Sequence, residues 1–364
     1  MRSESIFGAW CATLLLIAGC TGADTTPRGN DAAAGRDSAP PSEAGAGLLA
    51  YVTNEDSQEL TIIDTRTDSA VATIPVGTRP RGVRVSRDGK TVFVALSGSP
   101  KCPPTMPDEE CEKLKSDKSK DGIAVVDAAS RTVTRVLPGG SDPETFDISR
   151  DGTTLFVSNE DAGTASIVDI ASGKIRSTVE VGKEPEGVRV HPDGKTAWVT
   201  GETDHNVTLV DTRTGKTVAQ VEVGKRPRSL AFTPDGARAY VTSEVDGTVW
   251  VIDVAGRKKL KVITMPDGAK PMDAEASPDG SRIYVSNGRG GTVSVIDVAS
   301  DSVVGNVKVG QRPWGIALTP DGTKLYSANG PSNDVSVVDA QRLTVLRTVP
   351  VGKIPWGVAI GQAP

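Results

Sequence analysis

A spacing constrains this 364-residue chain more than any composition does. A Gly-x-x-Pro mark begins at Gly77, Gly140, Gly182, Gly224, Gly268, Gly310 and Gly352. An Asp closes an apolar run at Asp64, Asp127, Asp169, Asp211, Asp253, Asp297 and Asp339. Successive Gly marks lie 63, 42, 42, 44, 42 and 42 residues apart. The long step carries 21 extra residues, placed between Gly89 and Asp127, and the 44-residue step carries two near Met265-Pro266-Asp267. Self-similarity at such a period marks a repeat architecture.

Each unit predicts four short strands. In the unit from Val309 to Asp339 and just beyond they are Gly315–Leu318, Lys324–Ala328, Asp334–Val338 and Val345–Val349. Apolar and polar residues alternate at period two, the pattern of half-buried strands. Pro-Asp-Gly supplies a turn, its Pro presetting φ and its Gly accepting positive φ. The Asp ending the third strand can take backbone N–H groups just beyond it. Four antiparallel strands per 42 residues, seven times over, predicts an all-β, seven-bladed β-propeller. A linear solenoid is the rival, and it would need capping repeats.

The phase of the two ends favours a closed ring. Residues 48–364 number 317, which seven 42-residue units and the two insertions account for. The chain ends at Pro364 where a Pro-Asp-Gly turn is due, and Leu48-Leu49-Ala50-Tyr51 resumes in the register of Thr323-Lys324-Leu325-Tyr326. The expectation is a mixed last blade, its inner strand from the C-terminus and its other three from the N-terminus, with no edge left unpaired.

Tyr51-Val52-Thr53-Asn54 is a YVTN signature, echoed by Tyr284-Val285-Ser286-Asn287 and Phe156-Val157-Ser158-Asn159. With the Gly-x-x-Pro and Pro-Asp-Gly marks, residues 48–364 resemble the YVTN family of seven-bladed propellers. That resemblance is specific for fold and weak for function, because propellers host many unrelated activities. It implies periplasmic binding proteins, surface-layer proteins, lactonases and redox domains as relatives.

Residues 1–20 fall outside the fold. Arg2 precedes an apolar core, Ala12 to Ala18, too short to span a bilayer as a mature helix. Ile17-Ala18-Gly19-Cys20 resembles the lipobox of a bacterial lipoprotein signal. The resemblance implies cleavage before Cys20, lipid on Cys20, and a periplasmic site, with Thr21 suiting the outer membrane. An ordinary secretory signal with a chance Cys is the alternative. Residues 21–47 are rich in Ala, Gly, Ser, Pro, Asp and Thr and predict a disordered tether spanning about 25–30 Å. Beyond the signal only Cys102 and Cys111 remain, both inside the insertion at about 99–120. In an oxidising compartment they predict a disulfide, since a metal site would need further ligands and the insertion holds no His.

Net charge is −5, no footprint of a nucleic-acid-binding domain. Aromatics are few, and a core of Val, Ile and Ala is expected. Strand alternation puts the Gly-x-x-Pro connections and the second-to-third connections on one face and the Pro-Asp-Gly turns on the other. The insertion therefore overhangs the Gly-x-x-Pro face, and the tether leaves from the opposite one.

The residue after each Pro begins an inner strand and should ring the channel mouth. These are Arg81, Glu144, Glu186, Arg228, Met272, Trp314 and Trp356. A ring with an aromatic side and a charged side suits a small polar ligand or a partner's loop. Plugging and solvating the mouth would explain the same residues without a ligand. Lys183, Lys225, Arg226, Lys270, Arg312 and Lys353 crowd the same loops, where single-stranded nucleic acid is conceivable by stacking and charge, and plain solvated loop charge is the simpler reading.

Catalytic motifs are sparse. His191 and His205, the two histidines, belong to opposite faces and cannot share a metal. There is no Gly-x-Ser-x-Gly elbow. The reading is a lipid-anchored, monomeric binding module without a cofactor, engaging a periplasmic or surface protein or a small polar ligand. One alternative is a lactonase-like hydrolase that recruits Glu144, Glu186 and Asp273 around a divalent ion such as Ca. The other is a redox accessory protein that docks a cytochrome or quinoprotein.

Overall fold

The computed structural model describes residues 47–101, 106, 108–111 and 113–364, and these form seven four-stranded antiparallel sheets. Blades 1 to 6 are contiguous: residues 83–137, 143–180, 185–222, 227–264, 271–308 and 313–350. Blade 7 is mixed, as the phase of the ends predicts. Its inner strand is Pro355–Gln362, and its second, third and outer strands are Leu48–Asn54, Glu59–Asp64 and Ser69–Pro75. Leu49 lies opposite Gly361 and Tyr51 opposite Ala359, and the Ala363 N–H donates to the Gly47 carbonyl at 2.7 Å. Blade 6 runs Pro313–Leu318, Lys324–Asn329, Asp334–Asp339 and Thr344–Pro350, within two residues of the sequence expectation.

The turn chemistry is as the residues dictate. Asp321 Oδ1 accepts from Thr319 Oγ1 at 2.5 Å and from the Thr323 N–H at 3.0 Å, and Gly322 follows at φ +68°. At the third-strand end, Asp339 Oδ1 accepts from the N–H groups of Gln341 and Arg342.

The signature tetrapeptide holds neighbouring blades together. In six blades the inner strand slips register after its Pro, between it and the second strand. The slip frees an N–H that a second-strand hydroxyl accepts in five of them. Gly357, Thr145, Gly187, Ser229 and Asp273 donate to Thr53, Ser158, Thr200, Thr242 and Ser286 at 2.8–3.1 Å. Each hydroxyl then donates to the carbonyl of the residue after the Pro in the next blade's inner strand, as Thr242 does to Met272 at 2.7 Å and Ser286 to Trp314 at 2.6 Å. One side chain thus satisfies a bulge and stitches two inner strands. Where an Asn follows the hydroxyl it is buried, and its amide reaches a third-strand hydroxyl, as in Asn54 to Thr61 and Asn287 to Ser294. Inner strands approach so closely that a Cβ on Gly187 would sit 2.5 Å from the Arg228 carbonyl, and one on Gly357 2.7 Å from that of Arg81.

The core departs from the expected Val, Ile and Ala. Every second strand also places one aromatic between blades: Tyr51, Phe93, Phe156, Trp198, Tyr240, Tyr284 and Tyr326, none more than 3% exposed. Each of the seven hydrophobic clusters contains one of them. Aromatics are few, but half of them occupy one repeating position, where a large ring fills the wedge between twisted sheets. Three tyrosines also reach the next blade's outer hairpin: Tyr240 donates to Asp301, Tyr326 to Asp68 and Tyr284 to the Ala340 carbonyl.

The insertion leaves and rejoins blade 1 on the Gly-x-x-Pro face. Its base is closed by Asp121, which accepts from the N–H groups of Gly98 and Asp142 at 2.7 and 3.0 Å. It is held on one side by Lys101, paired with Glu55 and Asp56 at 2.9 and 2.8 Å, and on the other by Lys118 on Asp161. It contains a helical turn, Asp108–Cys111, and a 3-10 turn, Lys118–Lys120. The proposed bond from Cys102 to Cys111 and the acylation of Cys20 lie outside the described residues.

Candidate functional site

The mouth is built by a conformation repeated seven times. The residue before each Pro lies in the left-handed region: Arg79, Asp142, Glu184, Arg226, Lys270, Arg312 and Ile354, at φ 43–58°. None is glycine, so each pays a steric penalty, greatest for the β-branched Ile354. The kink turns the chain inward, and the residue after the Pro starts down the axis. The seven sequence candidates do converge there, but they divide into two unlike halves.

Blades 1 to 4 form an ion-paired half. The Arg81 side chain, 4% exposed, bonds to Asp142 at 2.5 Å and Glu160 at 3.1 Å and also pairs with Glu144. Three carboxylates face one guanidinium. Burial, only partly offset by Arg81, raises Glu144 well above its ordinary value, and the adjacent Glu160 adds to this. Burial also works to raise Glu160, but Arg81 and the hydrogen bond from Glu144 prevail and hold it low. Arg228 sits in a second network, with Glu186, and with Glu202 and Glu244 each at 2.8 Å. Arg226 pairs with Glu202 as well and lies 3.4 Å from Glu244. Burial pushes Glu202 up to about 7 against Arg226, whereas Arg228 and Arg226 outweigh burial at Glu244 and lower it.

Blades 5 to 7 form the other half. Trp314 and Trp356 meet edge to face, ring centroids 5.6 Å apart and planes at 81°. The Arg312 guanidinium carbon lies 5.2 Å from the Trp314 ring centre. The indole Nε1 of Trp314 is shielded from solvent and has no acceptor. Met272 lies over Gly288, where a Cβ would come within 3.0 Å of its Cγ. Among the described residues Lys270, Arg289, Arg312 and Lys353 form no ion pair, while the other half's arginines do.

Between the halves lies an axial cavity of about 60 Å³, lined by Glu186, Arg228, Met272, Trp314 and Trp356 and, further in, Arg84, Arg189 and Asp273. That is space for a few waters or a small head group. Arg81 and Glu144 are not among its walls. Deeper still, Arg189 meets Asp273 at 3.2 Å and Glu275 at 4.0 Å, and Arg84 meets Asp147 at 3.4 Å. Two guanidiniums face three carboxylates, and confinement in the channel pushes Glu275 up to about 7 against Arg189. This inner network was absent from the sequence reading.

The carboxylates assigned to a divalent ion do not converge. Glu144 is held by Arg81 and Glu186 by Arg228, in separate networks. Asp273 accepts from Ser229 Oγ at 2.7 Å and from the N–H groups of Ala274 and Ile316. No group of three metal-binding side chains assembles among the described residues. His191 bonds to the Gly236 carbonyl on the Pro-Asp-Gly face, and His205 to the Glu202 carbonyl in a hairpin on the mouth face, so the two are apart as expected.

The main residues missed are Glu55, Glu160, Glu202 and Glu244. Each directly follows the signature tetrapeptide of its blade, as in Tyr51-Val52-Thr53-Asn54-Glu55 and Tyr240-Val241-Thr242-Ser243-Glu244. Extending that motif by one residue would have found them.

Comparison with known proteins supports the fold. Residues 211–349 match the family described as Lactonase, 7-bladed beta-propeller, and residues 107–192 the YNCE-like beta-propeller family. No curated protein matches this chain in sequence. Among solved structures, a putative 6-phosphogluconolactonase from Bacteroides fragilis is 19% identical with a TM-score of 0.71, covering 88% of this chain and 99% of that one. Its counterpart from Bacteroides uniformis gives 18% and 0.70, over 86% and 99%. Kuenenia stuttgartiensis hydrazine synthase gives 20% and 0.68, over 83% and 98%. At such identities the likeness is one of fold.

Proposed function

We propose that the chain is an exported, lipid-anchored binding module that takes a partner protein or a small polar ligand at the mouth of its Gly-x-x-Pro face. The observation that carries this reading is the Trp314–Trp356 pair. The other five blades carry Arg, Glu or Met at the same position, so the frame does not demand an aromatic there. Both rings remain partly exposed on the half of the mouth whose cations form no ion pair among the described residues. Aromatic anchors of this kind dominate interface energies. An anchor on Cys20 suits this geometry, because the chain enters blade 7 at Gly47, on the face opposite the mouth.

The test is a paired one. Trp314→Ala with Trp356→Ala should leave the melting temperature nearly unchanged and weaken the captured ligand or partner by at least about 1–2 kcal/mol. A large drop in melting temperature would make the pair a core element. Unchanged stability with unchanged capture would move the site elsewhere. Cys20→Ser should shift the protein from the membrane to the soluble fraction, and equal membrane recovery would remove the anchor from the proposal.

The match to the lactonase propeller family and the likeness to the two putative 6-phosphogluconolactonases favour a second reading, lactone hydrolysis. The carboxylate best suited to proton transfer is then Glu275, poised near 7 inside the channel. Acid release from 6-phosphogluconolactone, compared between the parent and Glu275→Gln, decides it. A parent rate no faster than spontaneous opening ends this reading.

A further inference from the structure

We propose that the aromatic half of the mouth is a site for a small anion, a carboxylate or phosphate monoester on a flat apolar body, with Arg312 and Arg289 meeting its charge and the Trp314 indole N–H donating to it. This rests on the mouth being the binding face and names the chemistry it selects.

Charge divides the mouth sharply. The loops of blades 5 and 6, with the one returning to blade 7, carry Lys270, Arg289, Arg312 and Lys353 against a single carboxylate, Asp267. The remaining mouth loops, leaving out the insertion, carry twelve carboxylates against six Lys and Arg. An anion is therefore drawn to one side and repelled from the other. On that side Arg312 forms no ion pair among the described residues; burial lowers its pKa against the pull of Glu244, and the cations of Arg228, Arg289 and Arg226 add to the lowering.

Three further observations select the ligand. The Trp314 Nε1–H is buried without an acceptor, and an anionic oxygen would supply one. The cavity of about 60 Å³ has Met272, Trp314 and Trp356 among its walls but neither Arg312 nor Arg289, so the apolar body of the ligand faces it while the anionic head stays at the rim with the two arginines. Its own carboxylates, Glu186 and Asp273, are already engaged by Arg228 and Arg189. A cationic ligand is disfavoured, since Arg312 already lies over the Trp314 ring. A nucleic-acid strand would have to continue over the acidic loops of blades 1 to 4, where its phosphates are repelled.

Calorimetric titration of the full chain with phenyl phosphate, inorganic phosphate and benzyl alcohol tests the assignment, with oligodeoxythymidine titrated separately. Phenyl phosphate should bind at least about ten-fold more tightly than either of the others, and less tightly as salt rises. Arg312→Gln should weaken phenyl phosphate about ten-fold and leave benzyl alcohol unchanged, with an unaltered melting temperature. Arg289→Gln provides the same comparison if Arg312→Gln unfolds. Benzyl alcohol binding as well as phenyl phosphate would overturn the anion assignment and leave the mouth as a binding face. Binding of oligodeoxythymidine alone would overturn it in favour of nucleic acid. No heat from any probe, while capture of a partner still depends on Trp314 and Trp356, would overturn this inference only. No heat and no such dependence would overturn both.

Discussion

The two halves of the mouth use the same backbone for opposite ends. Over blades 1 to 4 the residue after the Pro is an arginine or a glutamate closed into buried networks, as with Arg81, Glu144, Glu186 and Arg228. Over blades 5 to 7 the same position holds Met272, Trp314 and Trp356, and the nearby cations form no ion pair among the described residues. The frame is repeated and the chemistry is not. Sevenfold structure therefore says little about where a ligand goes, and the breaks in its symmetry say more.

The largest expected effect separates the halves by stability. Arg81→Ala leaves the buried Asp142 and Glu144 and the partly exposed Glu160 without their cation and should cost about 3–5 kcal/mol in denaturant unfolding. Arg312→Ala removes a cation without an ion pair among the described residues and should cost less than about 1 kcal/mol. Equal losses would mean that the ion-paired half does not depend on its pairing.

The acidic half should also own the neutral-pH titration. Glu202, raised to about 7, and Glu144, raised as well, bind protons that the unfolded chain has already released. Both contributions are complete below the ordinary glutamate range; that of Glu202, worth up to about 3 kcal/mol, is lost as pH rises through about 7, and that of Glu144 is lost above the ordinary glutamate range. Glu275 in the channel acts in the same sense. The turn aspartates act oppositely: Asp64, lowered to about 2 by its bonds from Arg66, and Asp279, lowered to about 2 by Ser277, stabilise above the ordinary range and lose that as pH falls toward 2. Melting temperature should therefore peak near pH 4–5 and decline toward pH 8. Glu202→Gln should flatten the decline, and an unchanged slope would assign it to other groups.

The stitching hydroxyls should ignore the division. Thr200→Val in the acidic half and Ser286→Ala in the aromatic half each strand an inner-strand N–H and should cost about 1–2 kcal/mol alike. A marked difference would show that the frame itself is uneven. Smallest is Ile354→Asn, which relieves a β-branched residue at φ +52° and should add about 0.5–1 kcal/mol. A loss there would mean that the Ile354 side chain packs more usefully than its backbone is strained.

The fold was legible because its signals are local. Gly-x-x-Pro, Pro-Asp-Gly and the closing Asp each act within a few residues, and counting them yields seven blades and the mixed seventh. The mouth positions were legible for the same reason, since each follows a Pro. Their pairing was not. Arg81 meets Glu160, 79 residues away, and Arg228 meets Glu202, 26 away, across a boundary that no repeat reports. Glu144 and Glu186 thus looked like free ligands and are bound counter-ions. The aromatic of each second strand was visible at Tyr51, Phe93 and Trp198, but a whole-chain count of aromatics concealed that they share one position.

The mixed blade has a mechanical consequence. Leu48–Asn54 runs from the Pro-Asp-Gly face toward the mouth, between the inner strand Pro355–Gln362 and the third strand Glu59–Asp64. A pull on the chain ahead of Gly47, with a partner held at the mouth, directs force along that strand. Its ladder bonds to both neighbours are then loaded together, in shear, and no bond can open ahead of the rest. A pull on the C-terminus alone would drag Pro355–Gln362 along the same interface from its other side. The seam that closes the ring is thus oriented to resist tension between the two faces, which is the load an anchored receptor would bear.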